Sequence, residues 1–176
     1  MLKIAGIVIA VVIVAVLAFA ATKPDTFEVL RTATINAPPE KIYPLLSDFH
    51  NWNAWSPWAK LDPAMKTTHS GPQSGKGAVY TWEGNNKVGS GRMEIAEAAM
   101  ASSVRINLDF IKPFAGHNLT EFSLQPIGNG ATQVTWKMRG PTAYPLKLMN
   151  VFYSMDSMIG PDFERGLSQL KATAEK

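Results

Sequence analysis

Few side chains in this sequence occur in a pattern that is typical of proton transfer or metal binding. There is no cysteine, and the histidines are His50, His69 and His117. Without cysteine, disulfides, thiol nucleophiles and thiolate metal sites are excluded, and no two histidines have the close spacing of a zinc motif. His117 is a candidate acid or base, because an imidazole titrates near neutral pH. A solvated turn before a strand is the competing interpretation of this residue.

Arg92 is a second polar candidate, since it shares one face of a predicted strand with Glu94. Inside a cavity such a pair would orient the head group of a ligand, whereas on the wet face of a sheet it would be an exposed ion pair. Tyr80 is a third side chain that could serve acid–base chemistry. No paired carboxylates, Ser–His–Asp set or phosphate-binding glycine loop can be assembled. We therefore predict no catalytic residue, no metal site and no cofactor.

Aromatic and methionine side chains make up the remaining candidates. Trp52, Trp55 and Trp58 recur every three residues, which in a helix places them along one stripe. Such a stripe is either the lip of an apolar cavity, where indole rings suit a boundary between water and lipid, or ordinary packing on a sheet. If the fold encloses a cavity, we predict that these apolar side chains line it: Trp55, Trp58, Tyr80, Trp82, Phe110, Phe122, Trp136, Phe152, Met155 and Ile159. Arg92 and His117 are the polar candidates for the same cavity.

Composition narrows the class of protein. Aliphatic and aromatic residues make up 46% of the 176 residues, which is enough for one domain with a hydrophobic core. The 17 basic and 14 acidic residues give a formal net charge of +3, and they are scattered rather than clustered. A nucleic-acid-binding surface is therefore not expected.

The N-terminal segment is apolar without interruption from Ile4 to Ala21. A helix that crosses the hydrocarbon core of a bilayer needs about 20 such residues, so residues 1–22 are predicted to be a transmembrane anchor. A cleaved signal peptide is the alternative, because Ala18-Phe19-Ala20 fits the small-x-small pattern of a cleavage site. Lys3 favours a cytoplasmic N-terminus, which would place the rest of the chain in the periplasm or outside the cell.

After a short linker over residues 23–26, one domain is predicted over residues 27–176. Apolar and polar residues alternate along most of its length, which is typical of strands in a sheet with one wet face. Turn residues such as Gly128-Asn129-Gly130 separate the strands. Strands are predicted over Phe27–Ile35, Lys66–His69, Ala78–Glu83, Val88–Ala96, Ser103–Phe110, Leu119–Gln125 and Thr132–Arg139.

Two short helices are predicted between the first and second strands. Asn36 is expected to cap a helix over Glu40–Ser47, and Asp48 is expected to cap a second helix over Phe49–Trp55.

A long helix is predicted at the C-terminus, where apolar residues follow one another at steps of three or four from Leu148 to Leu170. The register continues across Gly160-Pro161, so we predict one helix with a kink there. It is the element long enough to cover the apolar face of the sheet. The predicted fold class is therefore α+β.

This order of elements resembles the START-like superfamily of polyketide cyclase/dehydrase and lipid-transport domains. The resemblance rests on an Ile-x-Ala-Pro strand end at residues 35–38 and an Asp-Phe-x-x-Trp-x-x-Trp-Ser-Pro stretch at residues 48–57. The Gly75-x-Gly77 turn, the strand around Trp136 and the helix end from Asp162 to Leu170 are also similar. The resemblance implies a helix-grip (START/Bet v 1-like) fold, with a curved antiparallel sheet wrapped on the long C-terminal helix and a cavity between them. The family shares no universal catalytic motif, so none is transferred.

Three functions are compatible with these features. The first is non-catalytic binding or transport of a lipid or other hydrophobic small molecule at a membrane surface. The second is an enzyme of the polyketide cyclase/dehydratase type, which needs a buried acid or base. The third is a membrane-tethered interaction module with a filled core and no ligand. The partners implied are a hydrophobic small molecule or lipid, and a membrane.

Overall fold

A curved sheet of seven antiparallel strands forms the framework of the molecule, which a computed structural model describes over residues 2–176. The strand order across the sheet is β1-β7-β6-β5-β4-β3-β2, so that β1 and β2 form its edges. The strands are β1 (Thr26–Ile35), β2 (Lys66–Ser70), β3 (Val79–Glu83), β4 (Ser90–Ala99), β5 (Ser103–Lys112), β6 (Gly116–Pro126) and β7 (Thr132–Pro141).

The helices follow the predicted order. They are α1 (Leu2–Ala21), α2 (Pro39–Ser47), a short 3₁₀ helix (Phe49–Ala54), α3 (Tyr144–Met149) and α4 (Met155–Ala174). Helix α4 lies across the concave face along β1, whereas α2 and the 3₁₀ helix pack against the middle of the sheet. The α+β fold class and the helix-grip architecture are therefore confirmed.

The period of two along the strands is confirmed as well. Along β1, every second residue from Phe27 to Ile35 faces the interior, and the alternate residues from Glu28 to Thr34 face solvent. Every strand pairs antiparallel with its neighbour. One end of the sheet therefore holds the starts of β1, β4 and β6 and the ends of β3, β5 and β7. We call it the α1 end, because α1 directly precedes β1 there.

The predicted caps of the two short helices differ in outcome. Asp48 does cap the second helix, since its carboxylate accepts a hydrogen bond of 2.9 Å from the backbone N–H of His50. The Asn36 cap is wrong: Pro38 occupies the cap position of α2 and no side chain bonds to it. Asn36 lies too early in the chain to reach the first turn, and its backbone N–H donates to the Glu175 carboxylate instead.

The C-terminal helix is broken, but not where the sequence indicated. The break lies at residues 150–154, between α3 and α4, while Gly160 and Pro161 lie within the continuous helix α4. The physical reason is a serine cap: the Ser154 hydroxyl accepts a hydrogen bond of 3.1 Å from the Ser157 backbone N–H and starts a new helix. The apolar spacing continues across this break and concealed it.

One charged residue, Arg31, lies among the apolar inward-facing residues of β1 and fastens α4 to the sheet. Its guanidinium donates to Asp156 at 2.6 Å and to Glu164 at 2.7 Å. Gly160 lies directly over the guanidinium, where a Cβ atom would collide with it. At the other end of α4, the Lys171 ammonium donates to the Thr34 carbonyl at 2.9 Å. Polar contacts therefore fasten both ends of α4 to β1.

The centre of α4 approaches the sheet closely at Gly166. A Cβ atom at this position would lie 2.6 Å from the Trp136 ring and 3.1 Å from Pro57. Trp136 is itself stacked on Phe163 of α4, with 4.0 Å between ring centroids. The absence of a side chain at residue 166 thus allows the helix and the indole to make contact.

We expect Gly166→Ala to destabilise the fold by about 1–3 kcal/mol, because the added methyl forces the buried indole or α4 to move. At most helix positions, replacing glycine with alanine has the opposite effect and raises the free energy of unfolding by up to about 1 kcal/mol. Ser168→Ala, at an exposed position of the same helix, is the matched control and should be neutral or slightly stabilising. Urea unfolding of the full chain in mild detergent, followed by tryptophan fluorescence, measures both; a gain in stability for Gly166→Ala would contradict the packing described.

The ion pair at Arg31 should make stability depend on acid pH. Its hydrogen bond holds the pKa of the Asp156 carboxyl below the usual value, so this carboxylate stabilises the fold above an unfolded pKa of about 3.9. That contribution is lost as the pH falls through the lower pKa of the folded state. We expect Asp156→Asn to lower the free energy of unfolding modestly at neutral pH, and to be nearly without effect once the pH is well below that range. An equal effect at both pH values would exclude the ionic contribution.

Candidate ligand-binding site

The middle of the concave face is filled by the protein's own aromatic rings. Trp55, Phe122 and Trp136, all predicted to line a cavity, are almost completely buried. Ring centroids are 5.9 Å apart for Trp55 and Phe122, and 4.9 Å apart for Phe122 and Trp136. The indole N–H of Trp55 donates to the Leu45 carbonyl at 2.8 Å, which attaches the ring to α2. These three side chains therefore belong to the packed core in this structure.

The tryptophan stripe divides between core and boundary. Trp52 and Trp55 are buried, whereas Trp58 is only partly buried at the margin of the filled region. Its ring contacts both the sheet and α4, at 5.8 Å from Trp136 and 6.4 Å from Phe163. Of the three, Trp58 has the position expected of a cavity lip.

A second aromatic group lies toward the α1 end of the sheet, on β3 and β5, and is only partly buried. The rings of Tyr80 and Trp82 are stacked at 6.1 Å, and Trp82 meets Phe110 edge-on at 5.9 Å. Met93 lies beside Tyr80 on the neighbouring strand β4. We call Tyr80, Trp82, Met93 and Phe110 the open wall. Three of its four members were predicted as cavity residues.

Local sequence explains the position of the Trp82 ring. Its indole N–H donates to the Val88 carbonyl at 3.0 Å, across the turn between β3 and β4. The ring lies against the backbone of Gly91, its partner on β4, where any Cβ atom would collide with it. A glycine inside a strand marks a close approach of this kind.

The candidates from the C-terminal helix separate at the break between α3 and α4. Met155 and Ile159 in the first turns of α4 are partly buried and pack against the core. Phe152 is 68% exposed, because it precedes the Ser154 cap and does not share the face of α4 that contacts the sheet.

Two polar residues of the concave face, Asn118 and Thr120 on β6, were missed by the sequence reasoning. Thr120 is buried, and its hydroxyl has no hydrogen-bond partner within residues 2–176. Asn118 shares the face of Thr120 and Phe122 and lies beside Leu108 on β5. The same alternation that placed Phe122 inward could have identified both. On β6 they are the inward-facing side chains that can form hydrogen bonds.

The polar cavity candidates Arg92 and His117 lie on the opposite, convex face. The Arg92 guanidinium pairs with Glu94 at 2.6 Å. The His117 side chain is 88% exposed, and its Nδ1 lies 2.7 Å from Asp109 on the adjacent strand. Tyr80, by contrast, faces inward, and burial raises the pKa of its hydroxyl. Among the three acid–base candidates, Tyr80 is thus the one on the concave face.

Two recesses at the surface are not lined by any predicted cavity residue, although Phe49 and His69 in the first contact the Tyr80 ring. One, of about 340 Å³, lies at the β2 edge beside the stacked rings of His50 and His69, whose centroids are 4.1 Å apart. The other, of about 460 Å³, lies on the flank of α4 around Arg165.

Burial lowers the pKa of His69, and the neighbouring His50 adds to this effect. Within residues 2–176 there is no group of three or more His, Cys, Asp or Glu side chains placed to hold a metal ion.

Solved structures of similar shape come from several bacteria. The Zhui aromatase/cyclase from Streptomyces sp. R1128 superposes with a TM-score of 0.62 at 15% identity, over 85% of this chain and 94% of that one. Protein CV1439 from Chromobacterium violaceum has a TM-score of 0.58 at 18% identity, over 88% and 99%. The Aha1 dimer from Colwellia psychrerythraea has a TM-score of 0.54 at 18% identity, over 85% and 96%. At these identities the likeness concerns the fold.

Comparison with curated proteins found no match. The model of the family described as polyketide cyclase/dehydrase and lipid transport, however, matches residues 26–175, which include the whole sheet and α4. The match extends over far more than half of the chain and agrees with the helix-grip architecture, and this chain therefore belongs to the polyketide cyclase/dehydrase and lipid transport family.

Proposed function

We propose that this chain binds or carries a lipid or other hydrophobic small molecule without catalysis, and that α1 anchors it at a membrane surface. The observation that carries the proposal is the open wall. Tyr80, Trp82 and Phe110 present partly exposed rings on the concave face, toward the end of the sheet where α1 meets the domain. The filled centre leaves this half of the concave face as the place for a ligand.

The chemistry of the open wall suits an apolar guest with few polar atoms. Burying each methylene group of an acyl chain contributes about 0.8 kcal/mol, and aromatic rings together with Met93 offer a flat, adaptable surface for it. Asn118 and the unpaired hydroxyl of Thr120 supply one or two hydrogen bonds at the inner end. This combination of apolar walls and few polar groups is typical of small-molecule sites.

The proposed anchor is α1, with residues 27–176 as the binding domain. Within residues 2–176 it is the one helix long and apolar enough to span a bilayer, with a mean hydropathy of 3.1 over the span Lys3–Ala21. Its last turn is part of the folded domain: Ala20 is fully buried, and the Leu17 carbonyl accepts a hydrogen bond from Tyr144 at 2.9 Å. Cleavage at Ala18-Phe19-Ala20 would remove these contacts, which favours an anchor over a signal peptide. The charge at Lys3 supports a domain in the periplasm or outside the cell.

The two alternatives have different support. A cyclase/dehydratase-type enzyme would have Tyr80 as its acid or base, because Arg92 and His117 lie on the convex face. An interaction module without a ligand is favoured by the packed rings around Trp136. Ligand uptake distinguishes this last alternative from the proposal.

We expect the delipidated full chain in mild detergent to take up a component of a total lipid extract, detected by native mass spectrometry. Phe110→Glu should abolish uptake, because it places a charge on the open wall that an apolar ligand would have to desolvate. Leu30→Glu is the matched control, since Leu30 is an exposed residue of the convex face, and uptake should persist. If the unmodified chain binds nothing, the proposal fails and the interaction module remains.

The position of the ligand can be read from tryptophan fluorescence. Binding of a component identified by mass spectrometry should change the emission of the chain, and Trp82→Phe should remove most of that change, because Trp82 belongs to the open wall. Trp58→Phe should preserve it, since Trp58 lies at the margin of the filled centre. The reverse pattern would place the ligand beneath α4 and contradict the proposed site.

A further inference from the structure

Several large apolar side chains around the α1 end of the domain are exposed to solvent. They come from the end of β5, the β5–β6 turn, α3 and the segment between α3 and α4. Their exposed fractions are 59% for Ile111, 67% for Phe114, 46% for Tyr144, 68% for Phe152 and 66% for Tyr153. We call these five residues the apolar rim. Single exposed apolar residues need no explanation, but a cluster at one end of a domain marks a contact surface.

The topology explains why these residues share one end. Strand β1 begins at Thr26, opposite Pro141 at the end of β7. The β5–β6 turn lies at the same end, because Phe110 near the end of β5 pairs with Gly116 at the start of β6. Helix α3 follows β7 directly and packs against α1. The apolar rim therefore lies at the end of the domain where α1 joins it.

Direct contacts tie the apolar rim to the last turns of α1. The Tyr144 hydroxyl donates to the Leu17 carbonyl at 2.9 Å. Leu17 precedes the helix end at Ala21 by about 6 Å along the axis, at a rise of about 1.5 Å per residue. If α1 spans a bilayer with Ala21 at the edge of the hydrocarbon core, the Tyr144 hydroxyl consequently lies about 6 Å inside that edge, close to the interface where tyrosine is enriched in membrane proteins.

We propose that the apolar rim enters the interfacial layer of the bilayer that α1 spans, so that the domain lies on the membrane rather than hanging from a flexible tether. The proposal rests on the anchoring role of α1 given above. The charges at this end agree with a lipid surface: Lys23, whose ammonium lies 4.5 Å from the centre of the Phe19 ring, and Lys112 can meet anionic head groups, whereas the acidic Asp25 is paired with Lys147. Transfer of phenyl and phenol rings from water into this layer is favourable, because it removes apolar surface from water.

The opposite end of the domain supplies matched control positions. Met100 is 84% exposed in the β4–β5 turn, and Ile127 is 48% exposed after β6. Both are apolar side chains at turns, like Phe114, but they lie a full strand length away from α1. A general affinity of exposed apolar residues for lipid would affect these positions equally.

The absence of cysteine from the chain allows one site at a time to be labelled. Full-length Phe114→Cys, Phe152→Cys, Met100→Cys and Ile127→Cys variants would carry an environment-sensitive fluorophore and be reconstituted into vesicles of phosphatidylcholine and phosphatidylglycerol. Quenching by nitroxide-bearing lipids and by a water-soluble quencher is measured for each. A Val12→Cys variant in the middle of α1 reports separately whether α1 crosses the bilayer.

We expect the labels at residues 114 and 152 to be quenched several-fold more by the lipid nitroxide than the labels at residues 100 and 127. The aqueous quencher should show the reverse order. Rim labels that remain in water while the label at residue 12 is in lipid would overturn the rim proposal and leave the anchor intact. A label at residue 12 in water would overturn the anchor itself. Rim labels shielded from both quenchers would indicate a protein contact, such as a second copy of the chain, and would also overturn the proposal.

Discussion

The concave face of the sheet is wider than a single helix can cover, and much of this structure follows from that constraint. Seven strands spaced about 4.8 Å apart extend over nearly 30 Å, whereas an α-helix with its side chains is about 10 Å across. Helix α4 covers the side formed by β1 and β7, and α2 with the 3₁₀ helix covers the middle. The part of β3, β4 and β5 toward the α1 end is left with partly exposed aromatic residues. The site proposed for a ligand is this remainder.

The concave face consequently holds two groups of aromatic side chains, one buried and one partly exposed. Around Trp136 the rings are stacked and buried, and Gly166 allows α4 to approach closely enough to complete the core. Around Trp82 the rings keep contact with solvent, and Gly91 allows the indole to lie against the strand. The packed core and the proposed site can thus be altered separately by mutation, although both contain a tryptophan packed against a glycine. The single inward charge, Arg31, belongs to the first group, because it fastens α4 in place.

The position of α1 connects the two proposals. Because β1 follows α1 directly, the sheet begins at the junction between helix and domain, and antiparallel pairing brings the β5–β6 turn to the same level. The open wall and the apolar rim therefore lie toward one end. A lipid that left the bilayer beside α1 would have a short path to Trp82 and Phe110, without passing through the filled centre.

The sequence alone was sufficient for what depends on local geometry. Period-two alternation determined which face of each strand is apolar, as in Val134, Trp136 and Met138, and the long apolar run identified α1. The resemblance at residues 35–57 added the family and the architecture. Helix boundaries were less certain: the spacing from Leu148 to Phe163 concealed the break, although the Ser154 cap was present in the sequence.

Only the tertiary structure decided which inward-facing aromatic residues are packed together and which remain partly exposed. Trp136 and Trp82 have the same chemical character and the same alternation, yet one lies beneath α4 and the other does not. Arg31 finds its partners Asp156 and Glu164 more than a hundred residues later in the chain. Periodicity reports the direction of a side chain relative to its own strand or helix, whereas burial and pairing are set by elements that arrive from distant parts of the sequence. For this reason the sequence determined which face of each strand is apolar, and the tertiary structure determined which part of that face is packed and which part stays partly exposed.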